Sequence, residues 1–536
     1  MKKRALLSTL SLIGIMTLAG CGGGGGGGNV DKGKAQLTIA TFDGGVGDQW
    51  LKNAKEIFEE KYQDYTDFEE GKTGVQIHIT KVRYAGDYIL DTDLQYDMYF
   101  TEGVNYSLMA GKGKMLDITD ILTEENPEDG GKKIIDKVDT NLKDFMNRGD
   151  KYYALPFYDC IYGFVYDKDL FKEKSFYMTN TGGFTNDEAE FGPGPNGYQG
   201  DWDDGLPKTY AQFGQLLARM KLRGVTPFTF SADTNQSAYT ARALMSFWAD
   251  DEGAEQTNLN YTFNGTATNI ITGFNDGVPT IESETITKEN GYRLRRQAGV
   301  YNALRFADDY FAADPDYYLA SSSVYTAQDA FVVNKYVGGT NKPVAMLVEG
   351  TWWQNESVNS FRRAQRLGAD SFNYGLMPIP KSDDSKVGQN ATFLNLNESY
   401  GFIKAGTKHA ALAKEFFKFL HTDAQLEAFT LETGMTRGLN YTVSESTMDK
   451  VSTYTRDLIS IKQSDRATML YPRSSLPFVI SNDSVFKPDS WVFSTVDLGQ
   501  NPILKFIKSN TSAETFFNQH VSALGEAKWQ TIIKNF

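Results

Sequence analysis

Trp352 and Trp353 stand directly after Glu349-Gly350-Thr351, where the apolar run 343–348 gives out. An indole plane beside a carboxylate suits a molecule with a flat C–H face and a rim of hydroxyls. The ring covers the face, and the carboxylate accepts charge-assisted hydrogen bonds from the rim. Neighbouring residues on a helix face different ways, so one of the two indoles is expected to pack in a core. Glu349 reads equally well as a charge favoured at a helix N-terminus. Glu102 follows the buried-looking run Tyr96-Asp97-Met98-Tyr99-Phe100, with Thr101 and Gly103 around it, where the carboxyl edge of a sheet would present groups to a ligand. Trp248 ends an apolar helical stripe of Ala243, Leu244 and Phe247, with Asp250 nearby. Plain packing is the simpler account of that indole, and a ligand contact is the alternative.

Catalysis finds little footing. Asp203-Asp204 and Asp250-Asp251 could stand for the paired acids of a glycosidase, but adjacent acids in polar or glycine-rich stretches are ordinarily solvated. The sequence has no serine–histidine–aspartate context, no His-Glu-x-x-His and no phosphate-binding loop. His78, His409, His421 and His520 are scattered without metal-ligand spacing. Asp201, Asp203 and Asp204 could together take calcium, but their spacing is not that of an EF-hand loop, so neither a metal nor a cofactor is assigned.

The elements that must position these groups alternate in type. Leu37-Thr38-Ile39-Ala40-Thr41-Phe42 is a β-rich run broken by Asp43-Gly44-Gly45. Leu51, Ala54 and Phe58 then keep a helical spacing, and Val75, Ile77 and Ile79 alternate as a strand. Strand, helix and strand over this length make a βαβ unit and imply a parallel sheet. Residues 207–224 read as a helix, with Thr209 and Gln212 as a capping box, Phe213, Leu216, Leu217 and Met220 as its stripe, and Gly224 as its stop. Residues 225–230 and 343–348 read as strands and 407–420 as a helix. Thr422 and Gln425 cap another helix, which Gly434 closes. The class is therefore α/β. Residues 180–206, 255–291 and 481–501 are polar and loop-like, as insertions would be.

The ends and the composition set the compartment. Lys2, Lys3 and Arg4 precede the uncharged apolar stretch 5–18, which is short for a membrane span and right for a signal-peptide core. Leu18-Ala19-Gly20-Cys21 is similar to a bacterial lipobox, so residues 1–20 are expected to be removed and Cys21 to carry the lipid. Residues 21–36, with an unbroken glycine run from 22 to 28, would be a tether with nothing to bury. Beyond residue 36 no apolar stretch would cross a bilayer. A body of about 500 residues calls for more than one core. The formal net charge of −14 argues against nucleic acid and other phosphate-rich partners and is compatible with a neutral ligand. With Cys21 lipidated, Cys160 is left without a disulfide partner and defaults to a small buried residue.

In this order the landmarks resemble the family 1 extracellular solute-binding proteins of ABC importers. Those carrying the resemblance are the first strand and its helix, Tyr96-Asp97-Met98-Tyr99-Phe100, Leu116-Asp117-Ile118-Thr119, Lys151-Tyr152-Tyr153-Ala154-Leu155-Pro156, Tyr162-Gly163-Phe164-Val165-Tyr166-Asp167, Leu206-Pro207-Lys208-Thr209-Tyr210, Glu349-Gly350-Thr351-Trp352, Tyr374-Gly375-Leu376-Met377-Pro378, and 413–420 through Gly434. The resemblance covers about residues 37 to 440 and departs at Met435-Thr436-Arg437, where the family usually has a proline. It implies a periplasmic-binding-protein-like, type II-like fold of two lobes, 37–157 with 376–434 and 158–375 with 435–536. Crossover strands would lie near 155–159, 373–377 and 434–439, with hinge closure around the ligand. It further implies a carbohydrate ligand, ABC permease subunits as partners, a monomer and no enzymatic activity. A sensor or adhesin on the same fold is the alternative. In that geometry Phe42 and Asp43 face the cleft, Tyr158 and Asp159 lie just past the first crossover, and Arg437 at the third reaches a hydroxyl or forms a structural ion pair.

Overall fold

In a computed structural model the protein is described over residues 30–83, 94–232, 238–312, 314–396, 399–486, 491–492, 502–509 and 511–534. Cys21 and most of the tether lie outside these residues.

Two five-stranded sheets built on one plan dominate the architecture. In the first the order is Val75–Val82, Ala35–Phe42, Met98–Thr101, Tyr400–Ile403, Ala154–Pro156; in the second it is Tyr318–Ser321, Thr226–Ser231, Val344–Gly350, Tyr162–Asp167, Tyr374–Met377. The first three strands of each are parallel, and the fourth and fifth pair antiparallel. Ala35–Phe42 pairs with Val75–Val82 along its whole length, from Ala35 opposite Val75 to Phe42 opposite Val82. In both sheets the fourth strand is the one that arrives from the other lobe and the fifth is the one that leaves.

The expected helices sit against these sheets. Gln49–Lys61 buries Trp50, Leu51, Ala54 and Phe58. The Trp50 ring lies 5.3 Å from Phe100, 5.4 Å from Phe157 and 5.2 Å from Phe429. Tyr210–Leu222 starts on Thr209, whose hydroxyl accepts from the Gln212 N–H, while the Gln212 amide oxygen accepts from the Lys208 N–H at 2.8 Å. One face of the second sheet packs Phe164 among Phe213, Phe228, Phe306 and Phe311; the other buries Val165, Leu347, Phe331, Trp353 and Tyr454 in a second core. The stretch 255–291, read as loop, instead completes the long helix Ala238–Thr262 and forms the hairpin Gly265–Asn275 with Val278–Ile286. Helix Glu526–Ile533 closes over the hairpin's end, where the Trp529 indole donates to the Lys288 carbonyl at 2.8 Å.

The chain passes between the sheets three times: between Pro156 and Tyr162, between Met377 and Tyr400, and after helix Asp423–Thr433. The second passage corrects the expected crossover at 373–377. Those residues end a strand of the second sheet, with Leu376 and Met377 opposite Val165 and Phe164, so this lobe boundary falls after Met377. The third passage turns on Gly434, whose φ of 67° is left-handed and favours glycine.

One carboxylate joins all three passages. Asp159, on the first, accepts from the Asn395 amide of the second at 2.7 Å and from the Thr436 hydroxyl of the third at 2.6 Å. Lys462 closes an ion pair with it at 2.6 Å, and the Tyr471 hydroxyl adds a longer bond of 3.3 Å. The Asp159 side chain is 1% exposed, so each lone pair must be satisfied by protein.

Candidate functional site

The carboxyl ends of the parallel strands in both sheets face a cavity of about 430 Å³ between the lobes. From the first lobe come Phe42, Asp43, Gly44 and Gly45, which follow Ala35–Phe42, and Glu102, which follows Met98–Thr101. The passages supply Tyr158, Cys160 and Ser399. The second lobe supplies Trp352, Glu356, Tyr239, Arg242 and Tyr325.

Trp352 is the aromatic centre of this surface. Tyr158, Tyr162 and Tyr239 meet its ring at 6.5, 5.0 and 5.6 Å, at interplanar angles of 70, 84 and 81°. Gly45 approaches the same ring from the opposite lobe so closely that a Cβ there would lie 2.6 Å from Trp352 Cδ1. Polar groups surround it. The Tyr158 hydroxyl donates to Glu102. Arg242 donates to the Tyr162 hydroxyl at 2.7 Å. Asp43 pairs with Lys81 at 3.4 Å and Arg83 at 3.3 Å. Glu356 sits at the end of the short helix Trp353–Glu356, four residues beyond Trp352 and so on its side.

The amide of Gln328 bridges Glu356 and Glu349, donating to each at 3.1 Å. Burial raises the Glu356 carboxyl to about 7 from an ordinary 4.5; Glu102 adds to the rise and the bond from Gln328 opposes it. Burial, and then Glu356, also hold Glu349 well above the carboxylate range. A carboxyl raised on folding binds more protons folded than unfolded, so its effect is absent below about 4.5 and lowers stability as pH rises through 7. Glu356→Gln removes this penalty. Thermal melts of variant and wild type are expected to coincide near pH 4 and to separate, with the variant higher, near pH 8. Parallel curves across that range would contradict the assignment.

Of the residues singled out in the sequence, the structure brings Phe42, Asp43, Glu102, Tyr158 and Trp352 to the cavity, and five others go elsewhere. Trp353 is fully buried among Phe331, Phe361, Tyr374 and Tyr454, because one residue of helix turns it to the other side of the sheet. Trp248 is fully buried in the second lobe, its indole 3.4 Å from the Gln297 amide oxygen. Glu349 still belongs to its strand, paired opposite Gly163, and reaches the cavity only through Gln328 and Glu356. Asp159 is the junction of the passages. Arg437 turns into the first lobe, 3.0 Å from His421 Nε2 and over the rings of Phe429, Trp50 and Phe157 at 5.1 to 5.9 Å. Glu356, Tyr239, Arg242 and Gly45 were not singled out. The i,i+4 spacing from Trp352 could have found Glu356, and the Gly44-Gly45 turn pointed towards Gly45.

Two mixed sheets joined by three passages, with strand ends converging on a cleft, define a two-lobed α/β solute-binding protein. Among the described residues no helix is long and apolar enough to cross a membrane. The chain belongs to the bacterial extracellular solute-binding protein family, whose profile it matches over residues 47–427. Among solved structures it is similar to apo RafE from Streptococcus pneumoniae, at 13% identity over 94% of this chain and 99% of that one, with a TM-score of 0.53. A chitin oligosaccharide binding protein is similar at 14% identity over 93% and 99%, TM-score 0.53. The GacH receptor of Streptomyces glaucescens is similar at 14% over 94% and 100%, TM-score 0.51. At such identities the likeness is one of fold. A search of curated proteins by sequence finds no match.

Proposed function

We propose that this protein binds a carbohydrate in the cleft between its lobes and hands it to the permease of an ABC importer, as a monomer held outside the membrane by a lipid on Cys21. The observation that carries the reading is Trp352, set near perpendicular to three tyrosine rings on a cavity that Glu102, Glu356 and Arg242 also line. An indole takes the C–H face of a sugar ring, and carboxylates and a guanidinium take its hydroxyls. Three neighbours in fold favour this chemistry: RafE has been solved with raffinose and GacH with acarbose, and the third is a chitin oligosaccharide binding protein. The bound sugar is not turned over; Glu102 and Glu356 serve as hydrogen-bond acceptors.

Titration calorimetry against a panel of mono- and oligosaccharides is expected to find one that binds one to one with a dissociation constant in the micromolar range, about −8 kcal/mol, and is recovered intact. No heat with any sugar, or cleavage of the sugar, would overturn the reading. The anchor is tested separately: Cys21→Ser is expected to release the protein from cell membranes, and an unchanged membrane fraction would refute it.

A further inference from the structure

We propose that Gly45 is a positioning residue of the cleft: the side chain it lacks is what lets the first lobe close onto Trp352 and hold a sugar there. The proposal rests on the reading of the cleft as a sugar site. Gly45 belongs to the turn that leads from strand Ala35–Phe42 into helix Gln49–Lys61, where the Gly47 N–H donates to the Gly44 carbonyl at 3.0 Å. Gly47 has the left-handed φ of 70° that favours glycine. Gly44 and Gly45 have no such φ, so space rather than backbone conformation calls for glycine at both. A Cβ on Gly44 would run into the Phe42 ring. A Cβ on Gly45 would stand 2.6 Å from Trp352 Cδ1 and 2.9 Å from its Cγ, well inside the roughly 3.5–4.0 Å at which carbon atoms pack. The bare backbone of the turn therefore meets the Phe42 ring of its own lobe and the Trp352 ring of the other.

Both surfaces are held in place. The other end of the indole abuts Gly350, where a Cβ would run into Cη2, and the Tyr162 and Tyr239 rings stand 5.0 and 5.6 Å away. The turn is fixed by the Asp43 N–H, which donates to the Val82 carbonyl at 2.8 Å, and by Lys81, which pairs with Asp43 at 3.4 Å and Asp48 at 3.5 Å. Near the hinge, the Asn355 amide ties the segment that follows Trp352 to the first lobe. It donates at 2.9 Å to the carbonyl of Thr433, which ends helix Asp423–Thr433. With both sides fixed, a methyl at position 45 must move the lobes apart by about 1 Å, and a larger side chain by more. A cleft held ajar keeps its sugar less well, so the loss falls on dissociation, in proportion to the shift in the open–closed balance.

The test uses the purified chain, Gly45→Ala and Gly45→Val, with the panel sugar that wild type binds most tightly. X-ray scattering is expected to show wild type contracting when saturated with that sugar and Gly45→Val keeping its sugar-free radius of gyration. Calorimetry and stopped-flow mixing are expected to find Gly45→Val weaker by about tenfold or more, with the change in the dissociation rate. Gly45→Ala is expected to fall between the two and covers the case in which the larger residue prevents folding. In a Trp352→Ala background, where the obstructing ring is gone, Gly45→Val is expected to cost less than about twofold. Wild-type affinity and contraction in both variants, or the same loss with and without Trp352, would overturn the proposal and leave the sugar reading standing. Failure of wild type to bind any sugar of the panel would remove both.

Discussion

Trp352→Ala is expected to weaken sugar binding by about 100-fold or more, about 2.8 kcal/mol, whereas Trp353→Ala leaves affinity unchanged and instead lowers folding stability by about 3–5 kcal/mol. The two indoles are adjacent in the chain and opposite in fate. Trp352 lines the cavity, near perpendicular to three tyrosines and with Gly45 close to its ring, so on the proposed reading its removal takes away the plane that takes the sugar. Trp353 has no exposed surface and packs between sheet and helices, so its removal leaves a hole in a close-packed core. Calorimetry and denaturant melts on both variants check the pair. Equal loss of affinity in both would contradict the division of roles, as would full affinity in Trp352→Ala.

The second large effect is expected at the junction of the passages. Asp159→Ala should cost about 3–5 kcal/mol, because it strands the Lys462 ammonium, 10% exposed, without its counter-charge and removes the acceptor that the Asn395 amide and the Thr436 hydroxyl share. These groups lie on all three passages, so the loss should also loosen the coupling between the lobes, read as a broader or two-step denaturant transition. Asp159→Asn keeps the shape and one acceptor oxygen but forfeits the charge and turns an NH₂ towards donors, so it too should lower the midpoint. A variant with wild-type midpoint and cooperativity would show that the three passages do not depend on this carboxylate.

Much of the fold was legible because parallel strands buried on both faces read as apolar runs ended by turn residues. Strand Ala35–Phe42, helix Tyr210–Leu222 on Thr209 and helix Asp423–Thr433 ending on Gly434 all fall where propensity, capping and glycine agree. The hairpin of Gly265–Asn275 and Val278–Ile286 was missed because its buried residues Ala267, Ile270 and Ile271 do not alternate and its pairing shifts register twice, so no period of two shows even though Thr266, Thr268 and Thr272 are β-branched. The strand ends of the site were legible as ends, but not the side to which each side chain turns. Glu349 looked like the first residue after a strand because the apolar run stops at Val348. Its pairing with Gly163 comes from a strand almost two hundred residues earlier, which the local pattern does not contain. Trp248 lies four residues beyond Leu244 on one helix face, so its burial could be read from the stripe. Many aromatic residues go to packing, as around Trp50 and Phe164. Arg437 illustrates why charge type alone misleads, since three aromatic faces and His421 hold it inside a lobe.

The most direct test is a crystal structure grown with the tightest-binding sugar of the panel. The account predicts the sugar between the lobes, with its C–H face on Trp352 and its hydroxyls on Glu102, Glu356 and Arg242. A sugar seated elsewhere with the cleft vacant, for instance in the smaller pocket beside Phe263 and Phe478, would contradict it.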